Sequence, residues 1–181
     1  GSGKTLAYTA AMLQKLETDK AHTQALCVVH NNALLAQVMD AYLKKMKNTV
    51  KDFTFAPATS DHFKEKGGRG MSDEHVLVGT SESMRNLACG KTSKVRGKTT
   101  THPAQIDLKH IKVCVIDEVD YYFTGDEIKN GGKYVTELVK ALHEATDNKC
   151  QFLLYSATYP PDAKKALAEV FKNPKAELTL E

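Results

Sequence analysis

The sequence predicts an α/β domain, a parallel sheet flanked by helices on both faces. Three observations carry that expectation. Short unbroken apolar runs, A-L-C-V-V at 25–29, H-V-L-V-G at 75–79, V-C-V-I at 113–116 and C-Q-F-L-L-Y at 150–155, read as strands covered on both sides. Between them, apolar residues recur at helical spacing, so strands and helices alternate from end to end. Polar residues that carry chemistry stand directly after the runs, where ligands bind in open parallel sheets.

Taken in order, Gly1, Ser2, Gly3, Lys4 and Thr5 match the last five residues of the phosphate-binding pattern G-x-x-x-x-G-K-[S/T]. Glycines let backbone N–H groups surround phosphate oxygens, Lys4 can reach the terminal phosphates, and the Thr5 hydroxyl can ligate Mg²⁺. Leu6, Ala10 and Leu13 predict a helix after them, with those residues on its apolar face. A strand is expected over 24–30. Leu35, Val38, Met39, Tyr42, Leu43 and Met46 then predict an amphipathic helix, capped by Asn31 or Asn32 and closed by Lys44, Lys45 and Lys47. Phe53 to Pro57 is a third strand candidate, and Gly67, Gly68 and Gly70 mark a turn with Arg69 among them. After the run ending at Gly79 comes Thr80, then Ser81 and Glu82 as caps of a helix bearing Met84, Leu87 and Ala88. Residues 91–104 hold Lys91, Lys94, Arg96, Lys98 and three consecutive threonines without apolar periodicity, and predict an exposed basic loop. Such a loop can track a phosphate backbone or serve as a solvated connector.

The run Val113 to Asp120, V-C-V-I-D-E-V-D, organises the rest. Two adjacent acids at the end of a buried strand are costly to desolvate unless a positive group faces them, and Lys4 is the candidate. A helix follows with Val135, Leu138, Val139 and Leu142. The strand over 150–155 leads to Ser156-Ala157-Thr158, Pro160 and Pro161 break the chain, and Asp162 is placed to cap a helix bearing Ala163, Ala166, Leu167, Val170 and Phe171. Residues 176–180 alternate as a terminal edge strand would.

Composition narrows the field. With 25 Lys plus Arg against 22 Asp plus Glu, the net charge of +3 permits a nucleic-acid face without arguing for one. The four cysteines form no C-x-x-C pair, and reduced thiols of an intracellular protein, cytoplasmic or nuclear, are expected. No apolar stretch approaches the roughly 20 residues that span a bilayer, so no membrane association is expected.

The joint order of Gly-Lys-Thr, Asp-Glu-x-Asp and Ser-Ala-Thr resembles the first RecA-like domain of DEAD-box RNA helicases. The resemblance runs from motif I at 1–5 through motif II at 117–120 to motif III at 156–158, and the segment 173–181 is similar to the strand that closes that domain. It implies a RecA-like P-loop fold and ATP with Mg²⁺ as ligands. It implies that Lys4 binds the β- and γ-phosphates, that Thr5 and Asp117 hold Mg²⁺, and that Glu118 orients or deprotonates the attacking water. Asp120 would hydrogen-bond Ser156 or Thr158, joining the nucleotide site to the RNA site; Ser156 and Thr158 can equally cap a helix.

Departures from the family pattern matter too. Val119 stands where alanine is usual. The P-T-R-E-L-A segment aligns with His30 to Leu35, with Asn32 in the arginine's place, and T-P-G-R aligns with Thr80 to Ser83, with Arg85 as a substitute arginine. Gly67-Gly68 matches the glycine doublet. The RNA contacts implied are therefore Asn31, Asn32, Gly68, Thr80, Ser81 and Arg85, weaker or differently arranged than in a typical member. Residues 1–181 are expected to be the ATP-binding domain of a monomer, truncated at its N-terminus. The adenine-reading motif would lie before Gly1 and the second RecA-like domain, with its arginine finger, after Glu181. Partners expected are single-stranded or duplex RNA and that second domain, and the isolated domain should be a poor ATPase. Two other readings stand beside this one: a catalytically weak P-loop scaffold or nucleic-acid-binding module, and a DNA translocase of the same superfamily.

Overall fold

The computed structural model describes residues 3–50, 52–65, 71–95, 97–125 and 131–171. Gly1, Ser2, the glycine turn with Gly68, and the expected edge strand at 176–180 lie outside the described residues.

Five parallel strands form the sheet, in the spatial order β2-β3-β1-β6-β7. They are β1 (Ala25–Val29), β2 (Phe55–Pro57), β3 (Val76–Thr80), β6 (Val113–Ile116) and β7 (Gln151–Leu154). The sequence shows why the middle three are central: every residue of β1 and β6 is buried. Their side chains divide by the two-residue period of a strand. Leu26, Val28, Leu77, Cys114 and Ile116 enter one core. Ala25, Cys27, Val29, Val76, Val78, Val113 and Val115 enter the other.

Helices close both faces. The first core is covered by α5 (Ser81–Cys89), α6 (Val119–Tyr122), α7 (Gly131–Thr146) and α8 (Pro161–Val170), through Met84, Leu87, Val119, Tyr122, Val135, Leu138, Leu142, Ala163 and Leu167. The second is covered by α1 (Lys4–Leu13) and by a helical stretch of three parts. These are α2 (Asn32–Ala36), a wider π-helical segment (Gln37–Leu43) and α3 (Lys44–Met46). A short helix α4 (Ser60–Glu65) follows β2. All four cysteines are free thiols. No described helix is long and apolar enough to cross a membrane.

Four expectations need correction. The apolar face of α1 is Tyr8, Met12 and Leu13, whereas Leu6 is exposed; the tyrosine ring outweighs the leucine because it reaches over the sheet. The basic stretch 91–104 is not a loop. It holds an antiparallel hairpin of β4 (Lys91–Val95) and β5 (Lys98–His102). Gly97, at φ +80, supplies the turn. Threonine and valine favour extended backbone, but β5 is exposed throughout, so no apolar alternation betrays it. Thr80, not Ser81 or Glu82, caps α5 by accepting from Ser83 N–H at 3.4 Å. Asp162 lies in the first turn of α8, which starts at Pro161 with no side-chain cap; the ring's fixed φ suits that first position.

Candidate functional site

The carboxyl ends of β1, β6 and β7 converge with the N-terminus of α1. Asp117 follows β6 directly, is buried at 6 % exposure, and is pinned by its N–H to Val28 O at 3.0 Å. Both its carboxylate oxygens have donors: Tyr8 Oη donates to Oδ2 at 3.0 Å and Glu118 N–H to Oδ1 at 3.0 Å. Thr5 precedes Tyr8 by three residues on the same helix, α1. Burial first, and then the thiol of Cys27 and the charge of Asp117, push this phenol far above its ordinary range, so it remains a neutral donor. Through Tyr8, the helix that carries Thr5 is joined to Asp117.

Mg²⁺ suits that pair, because it binds through one or two protein oxygens and completes its shell with phosphates and water. Lys4 and Thr5 open α1, and Gly3 takes a left-handed backbone at φ 78 where the chain enters it.

Glu118 sits in the left-handed region, φ 49 and ψ 51, at the cap of α6. A non-glycine residue keeps that conformation only when its surroundings hold it. Its Oε2 lies 2.5 Å from His30 Nδ1. Val119, next along, donates its N–H to Tyr155 O and is fully buried in the first core. The valine that departs from the expected alanine is accommodated there.

Thr158 Oγ1 donates to Asp120 Oδ2 at 2.6 Å, and Thr158 N–H donates to Ser156 Oγ. Partial burial works against ionisation of Asp120, but hydrogen bonds from Ser156 and Thr158 outweigh it and hold the carboxyl below its usual range. The chain after β7 is therefore laced to the segment after β6.

The residues expected to meet nucleic acid fare unequally. Asn31 caps α2 by accepting Leu34 N–H at 2.9 Å, and Asn32 opens that helix, exposed. Thr80 stands at the end of β3. Ser81 is buried. Arg85 is engaged within the chain. It is held by Glu137 on α7 at 2.6 Å and by the carbonyl of Gly90, because one turn along α5 from Thr80 the side chain points back at α7. Sequence reasoning passed over two residues of this site, Tyr8 and His30. Tyr8 offers no local signal, since its partner lies 109 positions away. His30 did, as a histidine opening the segment that aligns with P-T-R-E-L-A. A cleft of about 560 Å³ runs from Thr80 and Ser83 past Lys64 to Lys91, Ser93 and His102, so the hairpin borders the Thr80 edge.

The family model for DEAD/DEAH box helicases matches residues 1–166. The ATP-dependent RNA helicase DBP5 of Yarrowia lipolytica is 27 % identical over 96 % of this chain and 30 % of its own length. DEAD-box ATP-dependent RNA helicase 38 of Arabidopsis thaliana is 26 % identical over 96 % of the chain and 32 % of its length. The structure of S. cerevisiae Dbp5 bound to RNA and ADP BeF3 superposes with a TM-score of 0.76 at 24 % identity, covering all of this chain and 40 % of that one. The fold is that of a RecA-like helicase domain, and the chain spans about a third of the length of the curated relatives it matches.

Proposed function

The chain belongs to the DEAD/DEAH box helicase family, and from that premise we propose that it is the ATP-binding, first RecA-like domain of an ATP-dependent RNA helicase. The observation that carries the reading is the hydrogen bond from the Tyr8 hydroxyl to Asp117, which ties the helix after the phosphate loop to the acidic strand end. The names of the relatives, and a neighbour holding RNA with ADP BeF3, support the same reading.

In this reading Lys4 and the backbone before it bind the ATP phosphates. Thr5 and Asp117 would hold Mg²⁺, which neutralises phosphate charge when bound. Glu118 orients the attacking water and accepts its proton. The work of the protein is to position groups and stabilise charge. Asp120, through Ser156 and Thr158, conveys the state of the nucleotide to a face carrying Asn31, Asn32 and Thr80, where RNA lies. Lys64 and Lys91 extend that face along the cleft, which suits a phosphate backbone. A second RecA-like domain completes the site. Remodelling of duplex RNA or of ribonucleoprotein follows from repeated closure and opening of the two.

The test is ATP turnover by the full-length protein with single-stranded RNA, with single-stranded DNA, and with neither. RNA-stimulated turnover that falls by at least a hundredfold in Glu118→Gln is expected, the size of effect a positioned acid–base group contributes. Stimulation by DNA alone would make the protein a translocase. Absent turnover would favour a scaffold, a reading that the engagement of Arg85 by Glu137 also favours.

A further inference from the structure

His30 stands between the two halves of the site. It follows β1 and precedes α2, and its ring is held from three sides. Nδ1 lies 2.5 Å from Glu118 Oε2. Nε2 lies 2.7 Å from Asn31 Nδ2. The ring of Tyr121, on α6, packs against the imidazole with centroids 4.6 Å apart and planes inclined by 32°.

The direction of this chain of contacts is set at its far end. Asn31 Oδ1 accepts Leu34 N–H at 2.9 Å, which fixes the amide with its NH₂ toward His30. An NH₂ group only donates. Nε2 therefore accepts, and the proton of the neutral imidazole resides on Nδ1, the nitrogen that faces the Glu118 carboxylate. The approach of Nδ1 is off the line of a full hydrogen bond. Glu118 is 42 % exposed at its side chain against 19 % for His30, so the glutamate is the freer partner and a small swing of it aligns the two.

We propose that His30 is a positioning residue for Glu118, its imidazole braced by the Asn31 amide and the Tyr121 ring. This rests on the reading of Glu118 as the residue that orients the attacking water.

The test uses the full-length protein with saturating single-stranded RNA. It measures kcat and KM for ATP in wild type, His30→Ala, His30→Gln, Glu118→Gln and the pair His30→Ala with Glu118→Gln, together with thermal midpoints. His30→Ala is expected to lower RNA-stimulated kcat roughly ten- to hundredfold, as loss of a supporting contact to a site residue does, with KM for ATP within about twofold. His30→Gln recovers part of that loss, since its amide both donates and accepts. The double variant is no slower than Glu118→Gln, because the two residues act as one unit. The proposal is overturned if His30→Ala keeps kcat within about twofold of wild type while Glu118→Gln is inactive. It is also overturned if His30→Gln loses as much as His30→Ala and both lower the thermal midpoint, which marks a structural role. Turnover retained by Glu118→Gln refutes the reading of Glu118 itself and removes the proposal with it.

Discussion

Tyr8 shows how much one hydroxyl organises. Its ring fills the second core at 0 % exposure and its oxygen reaches Asp117. Tyr8→Phe keeps the ring and removes the link, so a loss of about 0.5–1.5 kcal/mol of stability is expected in a urea titration, with a higher Mg²⁺ requirement for ATP binding. Asp120 gives a pH dependence with a definite sign. Its folded-state carboxyl is held below the ordinary range, so the contribution is fully present above the unfolded value and is lost as pH falls through the folded one. Thr158→Ala removes a donor and moves the Asp120 titration upward, measurable by carboxyl NMR. Val119 fills a closed space, and Val119→Ala should cost about 1–3 kcal/mol by leaving a cavity, which thermal unfolding would detect. The acids, lysine and threonines of the site were legible because each follows a strong local pattern. Tyr8 was not, because its role depends on a partner across the sheet.

At the scale of elements, what was legible follows burial. Strands β1, β3 and β6 declare themselves because both faces are covered, leaving runs that are apolar throughout. The hairpin β4–β5 does not, because its stability lies in backbone pairing and in contacts such as Thr92 with Thr101, with no apolar face to read. The engagement of Arg85 was hidden for a related reason: its partner Glu137 sits 52 residues away, on α7. Arg85→Ala is expected to lower stability by no more than about 1 kcal/mol, since the pair is partly exposed, and to leave RNA affinity in a filter-binding assay nearly unchanged. By contrast, Lys64→Ala with Lys91→Ala should weaken RNA binding without regard to sequence and reduce the slope of log affinity against log salt by about one to two. The junction of α6 and α7 is tight: a Cβ on Gly132 would run into the carbonyl oxygen of Tyr122. Gly132→Ala should therefore force the two helices apart at a cost of about 1–3 kcal/mol.

Across the whole molecule, the order of strands could not be read from sequence, yet it is what makes the site. Placing β1 between β3 and β6 sets the segments after all three strands along one edge. His30 then faces Glu118, and Asn31 and Thr80 come to neighbouring positions on that edge. The Asp120–Thr158 bond adds the segment after β7. The residues proposed for phosphate chemistry and for nucleic-acid contact thus share one rim of a single sheet, with the Asp120–Thr158 hydrogen bond tying its segments together. The most direct measurement is the affinity of the full-length protein for a fluorescent single-stranded RNA, with and without a non-hydrolysable ATP analogue and Mg²⁺, in wild type and Asp120→Ala. The account predicts at least tenfold tighter binding with the analogue in wild type, a coupling of about 1.4 kcal/mol or more, and most of that gain lost in Asp120→Ala. RNA affinity indifferent to nucleotide in the wild-type protein would contradict it.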